Sequence, residues 1–188
     1  MNIIDIKTHN PKSGEYYFLD CNVLMYNFYT NGGYGSNLIY EYSLIVSKII
    51  SAGAQICITD VLLSEFINTY IQTEFHRLAS LNRWPHNKHY FKYTFWQTQE
   101  YKDILLELKY IIGRQLLPVT RRINGDFINI SLDDIFNMPD TFDFNDRYYV
   151  KCMKEKDSYI VTNDSDFSAN GECSIITNNQ TLLSGVHW

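Results

Sequence analysis

Three short segments, Tyr16-Tyr17-Phe18-Leu19, Ile56-Cys57-Ile58 and Tyr159-Ile160-Val161, are apolar at consecutive positions instead of alternate ones. A strand with one wet face alternates, so unbroken apolar runs predict strands buried on both faces, as in a parallel sheet. Between them the apolar period changes. Leu38 to Ala52 carries apolar residues at 38, 39, 42, 45, 46, 49 and 50, a helical stripe closed by Gly53. A second helix is expected from near Asp60, with Leu63, Phe66, Ile67, Tyr70 and Ile71 on one face, and a third stripe runs Tyr101, Ile104, Leu105, Leu108, Ile111, Ile112. A further helix should start around Asn145-Asp146 and end near Asp157-Ser158, and Ile175-Ile176-Thr177 reads as a last short strand. Between Pro118 and Pro139 the pattern allows a strand or a hairpin around Asn124-Gly125. Strands alternating with helices predict a three-layer α/β/α sandwich with a central, mainly parallel sheet.

Composition narrows the class. The chain has 188 residues, 45% apolar and 20% charged, enough for one globular domain over 1–188 with a sizeable core. No apolar run approaches the roughly 18 to 20 residues that span a bilayer, and the opening residues lack a signal pattern, so a cytoplasmic protein without a membrane partner is expected. Cys21, Cys57, Cys152 and Cys173 are too few and too scattered for a staple framework, and are read as four reduced thiols. Sixteen Lys and Arg against 21 Asp and Glu give a net charge of -5, so a polyanion would have to meet a local patch.

The acids fall where a parallel sheet binds ligands, beyond the carboxyl ends of its strands. The first strand leads into Asp20-Cys21-Asn22, the second into Thr59-Asp60 with Glu65 about a turn later, and the third into Thr162-Asn163-Asp164-Ser165-Asp166. Asp146 opens the helix before that third strand. Gathered carboxylates repel one another unless hard cations with oxygen preference neutralise them, which points to Mg²⁺ or Mn²⁺ and to phosphodiester hydrolysis. Asp60 stands where a helix N-cap is expected and is left out of the site. Glu65 and Asp146 could each serve only as helix-start acids, Asp143 competes with Asp146, and Asp164 or Asp166 could only shape an Asx turn. Asp20 directly follows a core strand, and a buried carboxylate needs a partner.

With those residues placed, the chain resembles the PIN-domain family of metal-dependent nucleases, which includes the VapC-type toxins. Tyr17-Phe18-Leu19-Asp20-Cys21-Asn22-Val23-Leu24 is similar to the family's opening strand and first acid. Thr59-Asp60-Val61-Leu62-Leu63-Ser64-Glu65-Phe66 is similar to its second strand and Glu-bearing helix. Asp146 through Ile160-Val161-Thr162-Asn163-Asp164-Ser165-Asp166-Phe167 resembles its third block. The resemblance implies Asp20, Glu65, Asp146 and Asp164 as the catalytic acids that, with Asp166, hold one or two Mg²⁺ or Mn²⁺ ions, supported by Asn22 and Thr162. It further implies cleavage of single-stranded RNA, a homodimer and an antitoxin protein as partner. Tyr148, Tyr149 and Lys151 stand where the family usually carries small apolar residues, so packing of that helix is expected to differ.

The stretch 76–93, longer than in compact toxins, reads as a helical insertion after the second strand. It holds Arg77, Arg83, Trp84, Lys88 and Lys92 with no acid, a mixture suited to gripping phosphates and stacking bases, or else to a solvated face over core aromatics. Arg114, Arg121 and Arg122 could line a groove or only balance nearby acids, and the second reading is preferred. His86 and His89 lack further zinc-spaced ligands and are expected on the surface, and Asn31-Gly32-Gly33-Tyr34-Gly35 lacks a phosphate-loop ending and reads as a connection. A haloacid-dehalogenase-type phosphatase would need an acid at position 22, which is Asn. A non-catalytic nucleic-acid-binding or scaffold domain, or a structure-specific DNA nuclease, stands as the alternative to the ribonuclease.

Overall fold

The computed structural model describes residues 2–125, 127–137, 143–154, 158–169 and 173–185. Its frame is a sheet of six parallel strands, β1 (Ile3–Asp5), β2 (Tyr16–Leu19), β3 (Gln55–Ile58), β4 (Thr120–Arg122), β5 (Tyr159–Val161) and β6 (Ser174–Thr177), in the spatial order β1-β6-β5-β2-β3-β4. The unbroken apolar runs are buried as their pattern demands: Tyr17, Phe18, Leu19, Ile56, Ile58, Ile160 and Val161 are all buried. Neighbours such as Tyr17 and Phe18 point to opposite faces, so both faces are covered and the architecture is the expected α/β/α sandwich.

The helices are α1 (Cys21–Phe28), α2 (Ser36–Ser51), α3 (Asp60–Asn82), α4 (Lys88–Tyr93), α5 (Gln99–Tyr110), α6 (Leu132–Phe136), α7 (Phe144–Lys154) and α8 (Gln180–Ser184). At the end of α2, Gly53 takes φ 68° and its N–H donates to the Ile50 carbonyl while the Ala54 N–H reaches back to Ile49, the closure predicted from Gly53. A continuation of α5 with wider, π-type turns (Ile111–Leu116) leads to β4. The expected end of α7 near Asp157 lies outside the described residues.

Two expectations need correction, one strand was not foreseen, and one open alternative is decided. The N-terminal segment forms β1, which pairs with β6, and the Ile6 N–H extends the ladder to the Thr177 carbonyl at 2.9 Å. Of the two forms open to the segment after Pro118, the strand is the one that holds, as the edge strand β4, with no hairpin among the described residues. Thr59, not Asp60, caps α3, its hydroxyl accepting from the Leu62 N–H at 3.2 Å. The insertion does not begin at His76, because no Gly or Pro interrupts 60–82 and α3 runs straight through to Asn82. Its stop is the Trp84-Pro85 bend, where Arg83 adopts φ 57°, ψ 38° and the Trp84 N–H closes on the Ala79 carbonyl.

No disulfide joins the four cysteines, all of which are buried. Among the described residues no helix is long and apolar enough to cross a membrane.

Candidate active site

The chain runs rightward from β2 to β3 to β4, then returns to place β5 and β6 on the other side of β2. The carboxyl ends of β2 and β5 therefore flank the point where strand order reverses, the place where loops part and leave a crevice. Asp20 sits there. Its N–H continues the ladder to the Val161 carbonyl at 3.0 Å, while its side chain caps α1 through Oδ1, accepting from the Cys21 N–H at 2.6 Å. Oδ2 accepts from the Thr162 hydroxyl at 2.6 Å and from Asn22 Nδ2 at 2.5 Å. Asn22 Oδ1 accepts in turn from the Asn163 N–H at 3.3 Å, so the supporting pair Asn22 and Thr162 ties the two strand ends together around this carboxylate.

The other acids lie within electrostatic range of Asp20. Glu65, on the second turn of α3, accepts at Oε2 from the Tyr149 hydroxyl at 2.5 Å and from Asn145 Nδ2 at 3.0 Å, both on α7. Asp164 follows β5, where its N–H donates to Thr162 Oγ1 at 2.9 Å and its Oδ1 accepts from the Asp166 N–H at 2.9 Å. Asp164 thus does shape an Asx turn, with Oδ1. Asp146 opens α7, its N–H donating to Asp143 Oδ1 at 2.9 Å.

Electrostatics shows how close these groups are. Burial, then the charges of Glu65 and Asp164, push Asp20 up to about 7 against the bonds from Thr162 and Cys21 that hold it down. Burial, then Asp143, Asp20 and Asp164, push Asp146 up to about 8, against the backbone bond from Asp143. Asp166 is exposed and shifted upward by residual burial, then by Asp164 and Asp143. Among the described residues no Lys or Arg pairs with Asp20, Glu65, Asp146 or Asp164. Asp143 adds a further negative charge beside Asp146 and Asp166.

All donors are oxygens, which in kind suits Mg²⁺ or Mn²⁺. As the side chains stand, no group of three or more His, Cys, Asp or Glu among the described residues converges tightly enough to enclose an ion. Hydrogen bonds turn Glu65 toward α7 and Asp20 toward Thr162 and Asn22. Mg²⁺ commonly binds through one or two carboxylates and keeps several waters, so the set is compatible with a hydrated ion and not with a closed cage.

Two contributors were not foreseen. Tyr149 was expected only to alter packing, yet its buried ring packs on Phe18 at a centroid distance of 4.8 Å while its hydroxyl orients Glu65. Burial, then Glu65, raise its pKa, which keeps the phenol a donor. Tyr42 on α2 is fully buried, donates to the Thr162 carbonyl at 2.9 Å and accepts from the Asn178 N–H at 3.1 Å, so it braces the loops after β5 and β6. A helix-face Tyr offers no local signal for such a role.

The insertion divides. Arg77 is committed to Glu74, which is 2% exposed: its Nη2 lies 2.7 Å from Oε2 and its Nε 3.0 Å from Oε1. Its reading as a free RNA-binding cation is therefore corrected, because the guanidinium neutralises a buried acid. Trp84 is half-buried against Tyr90 and Phe95, so the reading of its ring as a core contact is the one that holds. Arg83 occupies the helix cap, and Lys88 and Lys92 are exposed on α4. His86 and His89 are exposed as expected. Arg114, Arg121 and Arg122 balance no acid among the described residues. Arg121 instead donates to Gln55 at 2.8 Å, and Arg122 lines a cleft of about 540 Å³ that reaches Asp60.

No protein-family model matches this chain, and no curated protein is significantly similar to it.

Proposed function

We propose that the chain is a Mg²⁺- or Mn²⁺-dependent endoribonuclease of PIN-domain type that hydrolyses phosphodiester bonds of single-stranded RNA. One observation supports the reading: Glu65, Asp146 and Asp164, from three other segments, lie within electrostatic range of Asp20 beside the strand-order reversal, and no Lys or Arg among the described residues pairs with any of the four. A divalent cation bound there would offset the charge of the scissile phosphate and favour the ionised form of an attacking water. The chain's own residues supply the geometry. Thr162 and Asn22 hold the Asp20 carboxylate, Tyr149 and Asn145 hold that of Glu65, and the Asx turn after Thr162 fixes Asp164. Asp146, at the start of α7, lies within electrostatic range of Asp20 and Asp164, and a phosphate backbone would pass beside these segments.

The test is cleavage of a single-stranded RNA with Mn²⁺ or Mg²⁺, with a DNA strand of the same sequence beside it. Asp20→Asn and Asp146→Asn should abolish RNA cleavage while leaving the fold intact by circular dichroism. Undiminished activity in excess chelator ends the proposal. The resemblance to VapC-type toxins extends the reading to a homodimeric toxin held in check by an antitoxin, for which growth arrest on expression, relieved by Asp20→Asn, is the expected result.

A further inference from the structure

The polar face of α3 leads away from the carboxylates. Beside Glu65 lies an open cleft of about 610 Å³ whose wall includes Asn68, Thr69 and Gln72. Gln72 also lines a second cleft, about 340 Å³, together with His76, His86, Asn87, Lys88, Phe91 and Lys92 from α3, α4 and the segment between them. The two clefts thus share one lining side chain on α3. From Glu65 to His76 the helix rises roughly 16 Å, or about five nucleotides at the stacked spacing of ~3.4 Å.

The second cleft has the chemistry that the first lacks. Around Glu65 the charges are negative, and a polyanion needs cations to hold it on either side of such a centre. In the second cleft neither Lys88 nor Lys92 is ion-paired among the described residues, and both are exposed. The rings of His76 and His86 stack at a centroid distance of 5.7 Å and an angle of 12°, with Nδ1 atoms 3.4 Å apart, and Phe75 packs between them and Phe91. Flat rings, amide groups from Gln72 and Asn87, and two ammonium groups fit a base and its flanking phosphates together.

We propose that this cleft is a nucleotide subsite, taking one base and the adjoining phosphates of a single strand whose scissile bond lies at the carboxylates. The proposal rests on the ribonuclease reading for its substrate, and it assigns the grip to Lys88, Lys92, His76 and His86 in place of Arg77 and Trp84.

The experiment measures binding of a 5′-fluorescein-labelled 12-nucleotide oligouridylate by anisotropy, in chelator so that nothing is cut, across a salt series. Lys88→Ala/Lys92→Ala should weaken binding about tenfold and reduce the slope of log affinity against log salt by about 1.4, two phosphates at ~0.7 each. The control Lys12→Ala/Lys102→Ala, which removes the same charge elsewhere, should change affinity less than twofold. His76→Ala/His86→Ala should weaken binding without changing the salt slope, which separates stacking from charge. Unchanged affinity in the lysine variant, or an equal loss in the control, overturns the subsite. Cleavage of the same oligonucleotide with Mn²⁺ is scored separately: cutting without any effect of the cleft variants removes the subsite alone, whereas cleft-dependent binding without cutting removes the nuclease reading alone.

Discussion

At the residue scale the arrangement of Asp20 and Glu65 turns on two hydroxyls, those of Thr162 and Tyr149. Thr162 is fully buried and donates to Asp20 while accepting from the Asp164 N–H, so one side chain sets the position of two acids. Thr162→Val keeps the shape, removes that donor and leaves the Asp164 N–H without its acceptor. Groups that orient the ligands of a metal site typically matter 10–100-fold in affinity or activity, so under the proposed nuclease function cleavage should fall by about that factor, while circular dichroism remains that of the parent. Restoration of most activity by Thr162→Ser would identify the hydroxyl, not the methyl, as the working part. Tyr149→Phe makes the same test for Glu65 and should cost about 1 kcal/mol of stability, read from urea unfolding.

At the element scale α3 carries most of what distinguishes this chain, and its middle is pinned by Glu74. Burial alone would raise that carboxyl, but hydrogen bonds from Arg77, then Tyr29 and Asn31, win and lower it. Removing the guanidinium leaves a buried acid with neutral donors only. Arg77→Ala should therefore cost roughly 3 kcal/mol by urea unfolding, with oligouridylate affinity in chelator unchanged for the protein that remains folded. At the helix end, Arg83 holds a left-handed conformation that costs a side chain about 1 kcal/mol, so Arg83→Gly should be more stable by about that amount. These elements also show what could be read from the chain alone. Strands β2, β3 and β5 were legible because burial on both faces forces unbroken apolar runs. The edge strands β1 and β4 were not: Ile3-Ile4-Asp5 is too short for a period, and Thr120-Arg121-Arg122 carries charge, as suits an exposed edge. The places of Asp20 and Asp164 beside neighbouring strand ends were legible because a buried apolar run marks where its strand stops, whereas the Glu74–Arg77 pair was not, since an acid three residues before an arginine on a helix reads as solvated.

At the scale of the whole molecule the charge of -5 sets repulsion against function, because the sheet topology concentrates negative charge at one edge. In the metal-free protein this has a signed consequence. Asp20 at about 7 and Asp146 at about 8 stand above the ordinary value of 3.8, so the folded state binds protons that the unfolded state has already released. Stability from these two groups is full below about pH 4 and is lost as pH rises toward 8. Buried His9 acts in the opposite sense, burial lowering it below 6.5 despite Glu15, so it adds stability as pH rises to its ordinary value and little beyond. The window from pH 6.5 to 8 therefore isolates the carboxylates. In chelator the folded state should lose about 1–2 kcal/mol across that window, after allowance for solvent at half-buried Asp146, or roughly 4 °C in Tm. Asp146→Asn should flatten the slope and melt above the parent at pH 8, since it removes a charge that the chain itself leaves without a cation among the described residues. Millimolar Mg²⁺ should raise the parent's Tm more at pH 8 than at pH 6.5, because the ion and the proton compete for the same oxygens, and should raise that of Asp146→Asn less. A parent whose Tm ignores Mg²⁺ at both pH values, together with a flat pH profile in chelator, would mean that these carboxylates do not crowd one another as their positions require.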